Sequence, residues 1–391
     1  MNDIVICQTE HGGKTFLTAA YYKDMQLSLV RLHPVRENGP LSGTVCIGRA
    51  ENLQKNIGST YIRIGDALYY LSGKSVRPGT ELPVQITKPS KGGKRANVDT
   101  RLSLTGRNCI VSADPSRAAS AENGTYSYSR KFSVQQKEML REWIKEIPSP
   151  RFSVMLRTNA AFSSKEEVLG EIKGLCGQMS RILDISPTRT CFSVLYEPLP
   201  EEVGILMDIR GEKPDRIVTD REELFEKIRA RLKQEPWAFG GLGEDQIVLY
   251  RDERVPLPAV YNLNRDVSRL FEKKVFLRSG AYLVIEKTEA FVSIDVNTGK
   301  CQKGKDPGET YFAVNLEAAK EAARQILLRN LSGMILIDFI NLKEPEHREA
   351  LLTFMRGELQ KDPLRSEAVD LTKLGIMEIV RARKDLSLMD L

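Results

Sequence analysis

The sequence predicts a multidomain α/β protein that carries a small β-barrel of the OB type in its N-terminal third. Three observations predict it. The chain has 391 residues, too long for one small core and suited to roughly two to four domains. Residues 38–105 break into about five short apolar stretches punctuated by Gly, Pro and Asn, the rhythm of a small barrel. From Val275 onward, strand-like and helix-like stretches alternate to the end, the pattern of an α/β layer.

The elements follow in order. Residues 1–32 hold the runs IVIC, TFLTAAYY and LSLVRL, which read as two or three strands with a turn at Gly12 and Gly13. After the barrel, residues 112–130 are small and polar and read as a loop or linker. Residues 133–146 have helical period, and FSVMLRT (152–158) reads as a strand. Ser164 and Glu167 stand at capping-box spacing before a long helical run. CFSVLYE and GILMDI read as strands, and REELFEKIRARLKQ as an amphipathic helix. No internal repeat is visible.

Composition bounds the class. Hydrophobic residues make up 41% and charged residues 28%, so the chain can fold as an ordinary globule. Lys and Arg number 58 against 52 Asp and Glu, a formal +6 that permits a polyanionic partner without requiring one. Cys7, Cys46, Cys109, Cys176, Cys191 and Cys301 form no C-x-x-C pair, which reads as reduced thiols. His11, His33 and His347 are scattered and suggest no ligand set. The start, MNDIVICQTEHGGK, lacks the features of a signal peptide, and no apolar run approaches a membrane span. A cytoplasmic protein without a membrane partner is expected.

The segment Phe291–Asn341 carries the chemistry. FVSIDVNTGK reads as a buried strand ending near Asp295. A helix, NLEAAKEAARQILLRN, follows with Asn315 as its cap, and GMILIDFIN is a second buried strand ending near Asp338. Strand, helix, strand is a βαβ unit with parallel strands, and open α/β sheets bind ligands at the carboxyl ends of their strands. Asp295 and Asn297, two apart, share a face. Two carboxylates brought together repel unless a cation lies between them, and Mg²⁺ takes one or two carboxylates while keeping several waters. Such an ion would position a phosphate and a water for in-line attack. Lys300, Lys303 and Lys305 follow on a Gly-containing loop that could meet a phosphate backbone. An Asp after an apolar strand is also a common cap, so the pair carries more weight than either alone.

These residues resemble a known family. SIDVNTGK, Glu309-Thr310, NLEAAKEAARQILLRNLSG, ILIDFIN and LTKLGIMEIVRAR (371–383) are similar to the catalytic core of the ribonuclease E/G family, and the likeness runs through most of the chain. It implies a Mg²⁺-dependent endoribonuclease that cuts single-stranded RNA in processing or decay and leaves a 5′-phosphate. The implied catalytic residues are Asp295, Asn297 and Asp338, with Asp295 and Asp338 holding the metal. It also implies an architecture. Residues 1–35 with 200–272 would form an RNase H-like domain and 36–105 an OB-fold RNA-binding domain. Residues 106–199 would form a 5′-sensor region and 273–391 a DNase I-like catalytic domain. STYIRIG and ALYYLSG resemble the family's RNA-facing strands, which puts Tyr61 and Tyr70 on RNA, and GGKRA puts Lys94 on a matching basic position. Aromatic faces stack on bases and cations follow the backbone, and Lys88, Lys91, Arg95 and Arg101 add to the charge. FSVMLRT resembles the strand whose Arg-Thr pair grips a 5′-monophosphate, which carries over to Arg157 and Thr158. Asn159 to Phe162 depart from the family's pattern there. Asn341 stands where the family often has a further acid. The sequence stops at Leu391, short of the family's C-P-x-C zinc link, so a zinc-linked tetramer is not expected.

Two rivals stay open at this point. One is an RNA-binding regulator that kept the fold and lost turnover. The other is a metal-dependent phosphodiesterase acting on DNA, since single-stranded DNA would also stack on the barrel aromatics.

Overall fold

The structure is a computed structural model and describes residues 1–35, 41–54, 58–88, 96–115, 124–147, 151–299, 307–383 and 387–390. The chain divides into two units: Met1–Pro34, Pro214–Arg221 and Leu249–Leu391 form the first, Val35–Lys213 and Glu222–Val248 the second. Among the described residues no helix is long and apolar enough to cross a membrane.

The first unit opens with an antiparallel meander of β1 (Asn2–His11), β2 (Lys14–Lys23) and β3 (Gln26–Pro34). Gly12 and Gly13 turn the first hairpin at φ of 56° and 72°, where a side chain would be strained. Ile4, Val5, Ile6 and Cys7 are all buried, so β1 is covered on both faces.

The second unit holds the barrel. β4 (Val45–Gln54), β5 (Ser59–Ile64), β6 (Ala67–Leu71), β7 (Glu81–Lys88) and β8 (Asn97–Asp99) run in the order β4-β5-β6-β8-β7, and β7 pairs back onto β4 to close the ring. Closure removes the open strand edges. Cys46, Ile62, Tyr69, Leu71, Val84, Ile86 and Val98 fill the interior. Next, β9 (Leu102–Thr105), β10 (Cys109–Ala113), β11 (Tyr126–Tyr128) and β12 (Ser153–Leu156) form a second sheet in the order β11-β12-β10-β9. Helices α1 (Val134–Ile144) and α2 (Lys165–Ile185) bury Leu140, Val168, Ile172, Leu175 and Met179 in the same core as this sheet. The Ser164–Glu167 capping box starts α2, with both reciprocal hydrogen bonds made.

Three sequence expectations need correcting in this unit. The stretch read as a linker contains the end of β10 and all of β11, which pairs parallel to β12. Its small polar residues hide a strand because β11 is only three residues long, too short to show an alternating pattern. GILMDI is not a strand: Val203–Met207 forms a 3₁₀ turn that buries Val203, Ile205 and Leu206. A short apolar run does not separate helix from strand by period. FSVMLRT stops being a strand at Leu156, and Arg157 leads into a 3₁₀ turn over Thr158–Phe162. β13 (Val194–Tyr196) is the strand expected within CFSVLYE and pairs with β4.

The chain then re-enters the first unit with β14 (Arg216–Thr219), which lies parallel to β1 with Ile4 opposite Ile217. It forms α3 (Glu222–Gln234), whose Leu224, Ile228 and Leu232 are buried at four-residue spacing, and returns through β15 (Ile247–Leu249). Two short helices follow, α4 (Leu257–Val260) and α5 (Leu263–Arg269). Asp3, 1% exposed, accepts from Arg216 Nε and Nη2 and from the Tyr261 hydroxyl, which ties β1, β14 and the end of α4 together.

The last part of the first unit is an α/β layer. β16 (Lys274–Phe276), β17 (Tyr282–Lys287), β18 (Phe291–Asn297), α6 (Pro307–Leu328), β19 (Gly333–Asp338), α7 (Pro345–Gln360), β20 (Ser366–Leu371) and β21 (Ile376–Arg381) follow in sequence. The sheet order is β16-β17-β18-β19-β21-β20, and β18–β19 is the parallel pair. Val292, Ile294, Val296, Ile335, Ile337, Met377 and Ile379 share a core with Val314, Ala318 and Ala322 of α6 and Leu351 and Met355 of α7. The alternate residues of these strands point to the opposite face.

Candidate active site

The site grows from the parallel pair. Along β18 the inward residues Val292, Ile294 and Val296 alternate with Ser293, Asp295 and Asn297 on the other face. β19 does the same, with Ile335 and Ile337 inward and Asp338 outward. Asp295 and Asp338 are register partners, so two carboxylates stand side by side at the carboxyl ends of adjacent strands. Both are exposed. Asn297 Nδ2 donates to Asp295 Oδ2 at 2.7 Å, which fixes the direction of that carboxylate. The structure thus brings Asp295, Asn297 and Asp338 together.

Backbone constraints hold this edge. Gly299 sits at φ 53°, and a Cβ there would come within 2.5 Å of the Gly280 carbonyl oxygen, so only glycine lets the chain leave β18 so close to the β16–β17 turn. After β19, Asn315 holds the main chain: its Nδ2 donates to Ile340 O at 2.7 Å and its Oδ1 accepts from Ile340 N at 3.0 Å. This overturns the reading of Asn315 as a helix cap. α6 begins at Pro307, and Asn315 lies inside it, fully buried. Pro at the first helical position was the available start signal. Further out, Phe312 of α6 stacks on His347 of α7 with centroids 4.2 Å apart and planes within 5°.

The residue set suits a hard divalent cation. Among the described residues neither Asp295 nor Asp338 has a salt-bridge partner, and both carboxylates are exposed. No group of three or more His, Cys, Asp or Glu side chains is placed to hold a metal among the described residues. Two carboxylates beside an amide match an ion that keeps most of its waters rather than a closed protein cage. Lys300, Lys303 and Lys305 lie outside the described residues.

The barrel residues belong to the second unit. Tyr61 and Tyr70 are register partners on β5 and β6, with ring centroids 5.9 Å apart. Thr60 and Ile62 of β5 and Tyr69 and Leu71 of β6 are buried, whereas Tyr61 and Tyr70 are half-buried on the alternate face. Both rings therefore lie outside the barrel core, and Tyr70 Oη donates to Ser59 Oγ at 2.8 Å. Lys94, Lys91 and Arg95 lie outside the described residues, as does the Lys88 side chain.

Arg157 and Thr158 are neighbours in the same unit, and their donors are engaged. Arg157 Nη1 donates to Gly106 O at 2.5 Å and Nη2 to Met207 O at 3.2 Å. Burial pushes the guanidinium pKa below its ordinary value, against the pull of Asp208 and Glu171. Thr158 Oγ1 hydrogen-bonds Ser129 Oγ at 3.1 Å. A phosphate at this place would compete with two main-chain carbonyls. Beneath it lies a group the sequence did not single out. Glu171 of α2, 1% exposed, accepts from Asn108 N and Nδ2 and from Cys109 N at 2.7–3.0 Å. Burial nevertheless pushes its carboxyl up to about 7.

Arg381, the first Arg of the R-x-R segment, is fully buried and pairs with Asp362 through Nε at 2.6 Å and Nη2 at 3.2 Å. Its Nη1 donates to Asn330 Oδ1 and Leu331 O, both at 2.8 Å. This part of the motif braces the sheet.

Comparison with known proteins adds sequence relationships to this geometry. The profile of the Ribonuclease E/G family matches residues 103–384. The chain is 30% identical over 310 residues to Ribonuclease G of Haemophilus influenzae, covering 79% of this chain and 60% of that protein. It is 26% identical over 393 residues to Ribonuclease E of Synechocystis sp., covering 96% of this chain and 56% of that one. Ribonuclease G of Escherichia coli is 27% identical over 308 residues, with 79% and 60% covered. The chain therefore spans 60% or less of the length of these curated relatives.

Proposed function

The chain belongs to the ribonuclease E/G family, and on that premise we propose that it is an endoribonuclease cutting single-stranded RNA with Mg²⁺ held by Asp295 and Asp338. One observation carries the reading: two solvent-facing carboxylates in register on adjacent parallel strands, one of them oriented by Asn297. Bound there, Mg²⁺ supplies charge neutralisation at the scissile phosphate and makes water a competent nucleophile near neutral pH. The protein's part is placement. Asp295 and Asp338 would hold the ion, Asn297 orients the Asp295 carboxylate, and Asn315 fixes the chain just beyond Asp338. Hydrolysis forms a bond from the water oxygen to phosphorus and breaks the bond to O3′, leaving a 3′-hydroxyl and a 5′-phosphate.

The remaining parts take supporting roles in this reading. The closed barrel acts as an OB-fold RNA clamp with Tyr61 and Tyr70 as stacking faces and Lys94 on the backbone. Arg157 and Thr158 serve a 5′-terminal monophosphate. The β1–β3 and β14 sheet corresponds to an RNase H-like domain and the β16–β21 layer to a DNase I-like catalytic domain. Free thiols at Cys7, Cys46 and Cys109, all buried, accord with work in the cytoplasm during RNA processing or decay.

The test is cleavage of a labelled A/U-rich single-stranded RNA, 5′-monophosphorylated or 5′-hydroxyl, by wild type and Asp295→Asn, with Mg²⁺ and with EDTA. Internal cuts by wild type only with metal, and binding without cutting by the variant, are expected. Binding by wild type with no cleavage at any Mg²⁺ concentration would replace this reading with an RNA-binding regulator. Equal cleavage of the matching DNA would broaden it to a phosphodiesterase.

A further inference from the structure

The face of the β16–β21 sheet that bears Asp295 also bears an aromatic pair. Register fixes this. Phe276 of β16 stands opposite Tyr282 of β17, and Tyr282 stands opposite Asn297 of β18. Lys274, Val284, Asp295 and Asp338 form the neighbouring row, each opposite the next. Directly opposed residues project to one side of a sheet, so Phe276, Tyr282 and Lys274 share a face with Asp295, Asn297 and Asp338. The core lies on the other side, where Leu283 and Ile285 point.

The pair is built as a platform. Phe276 is 71% exposed. Its ring centroid lies 6.1 Å from that of Tyr282, and Lys274 Nζ sits 3.5 Å from the Tyr282 centroid and 5.0 Å from that of Phe276. Among the described residues Lys274 has no carboxylate partner. A single exposed Phe is ordinary. Two rings and a cation converging on the strand next to Asn297 are not, and they offer what one nucleotide needs: a π-face for the base and a positive charge for its phosphate. Strand spacing puts β16 two strands, roughly 10 Å, from β18.

We infer that Phe276 and Tyr282, with Lys274, form a base-stacking subsite that holds a nucleotide of single-stranded RNA close to the scissile phosphate. This rests on the ribonuclease reading and adds a specificity element to it. Stacking does not read hydrogen-bond donors, so the subsite demands that a base be present and unpaired rather than that it be one particular base. It thereby selects single strands at the point of cleavage, independently of the barrel.

The experiment combines Phe276→Ala and Phe276→Trp with RNA oligonucleotides in which one abasic nucleotide is walked through the sequence. Cleavage with Mg²⁺ gives KM and kcat, and binding in EDTA gives Kd. For wild type, an abasic nucleotide at one position near the cut should raise KM and Kd roughly 5- to 150-fold, the size of one lost stacking contact. Phe276→Ala should show that loss with intact RNA and no further loss at that position, with kcat little changed. Phe276→Trp should restore wild-type values. If wild type cuts RNA and Phe276→Ala matches it at every position, the subsite is wrong and the nuclease reading stands. If wild type never cuts, the nuclease reading falls, and the Kd pattern in EDTA still decides whether the rings hold a base. If Phe276→Ala leaves KM and Kd alone but lowers the sedimentation coefficient, the face is an interface between copies of the chain, and the subsite is likewise wrong.

Discussion

The Asn315 side chain closes two hydrogen bonds on the main chain of Ile340, two residues beyond Asp338. A helix inside the core thus grips the strand end that carries a candidate metal ligand. Asn315→Ala would leave the part-buried N–H and C=O of Ile340 without this partner, and a fully buried group so stranded costs about 1–3 kcal/mol. A lower urea midpoint with unchanged m-value is expected, together with weaker cleavage. Unchanged stability would mean that the main chain at Ile340 finds other partners.

Asn297 aims the Asp295 carboxylate from two residues away. Partners that orient metal ligands are worth about 10–100-fold in metal affinity. Asn297→Ala should shift the Mg²⁺ dependence of cleavage to higher concentration by that factor, with the fold intact. A Mg²⁺ titration superimposable on wild type would remove Asn297 from the site.

Tyr61→Ala and Tyr70→Ala should each weaken RNA binding by about 1–3 kcal/mol and barely move Tm, because both rings lie outside the barrel core. Ile62→Ala, one residue from Tyr61 but fully buried, should instead destabilise the barrel by about 2–5 kcal/mol. The contrast is read by pairing fluorescence anisotropy with thermal melts. A large Tm loss in Tyr61→Ala would assign that ring to packing.

Glu171 makes stability depend on pH in the direction opposite to a salt-bridged acid. Its folded pKa, about 7, lies above the ordinary 4.5, so the native state binds the proton more tightly than the unfolded chain. Its contribution is fully present below about 4.5 and is lost as pH rises through 7, on the order of 3 kcal/mol in all. Glu171→Gln should flatten the urea-derived stability of the second unit between pH 5 and 8 relative to wild type. Equal slopes in the two proteins would show that Glu171 keeps one charge state throughout.

Local signals were the legible ones. The Ser164–Glu167 capping box, the Gly12-Gly13 turn, the barrel strands and the strand–helix–strand order around Asp295 and Asp338 each rest on a few adjacent residues, and the structure has them all. The side-by-side placement of the two aspartates needed one further step, that a βαβ crossover makes its strands neighbours. What stayed hidden depends on residues far apart in sequence. Asn315 looks like a cap until Ile340 is found beside it. Arg381 stands in the LTKLGIMEIVRAR motif with no sign of its partner Asp362, 19 residues away. Arg157 looks like a free phosphate ligand until Gly106 and Met207 take up its donors. The Phe276–Tyr282 platform was invisible because its members stand on different strands, and only the sheet register puts them on the face of Asp295.

The pairing of β1 with β14 also sets a clock. Asn2 N–H donates to Asp215, 213 residues later in the chain, and Asp3 waits equally long for Arg216 and 258 residues for Tyr261. At about 5–20 residues per second, a ribosome would take roughly 10–40 s to make the intervening polypeptide. β1 is therefore made well before its parallel neighbour, and the second unit can complete its barrel while β1 still lacks β14. Long-range closure of this kind slows folding and leaves an apolar strand edge open meanwhile. Refolding from urea should accordingly be faster for the barrel than for the β1–β14 sheet.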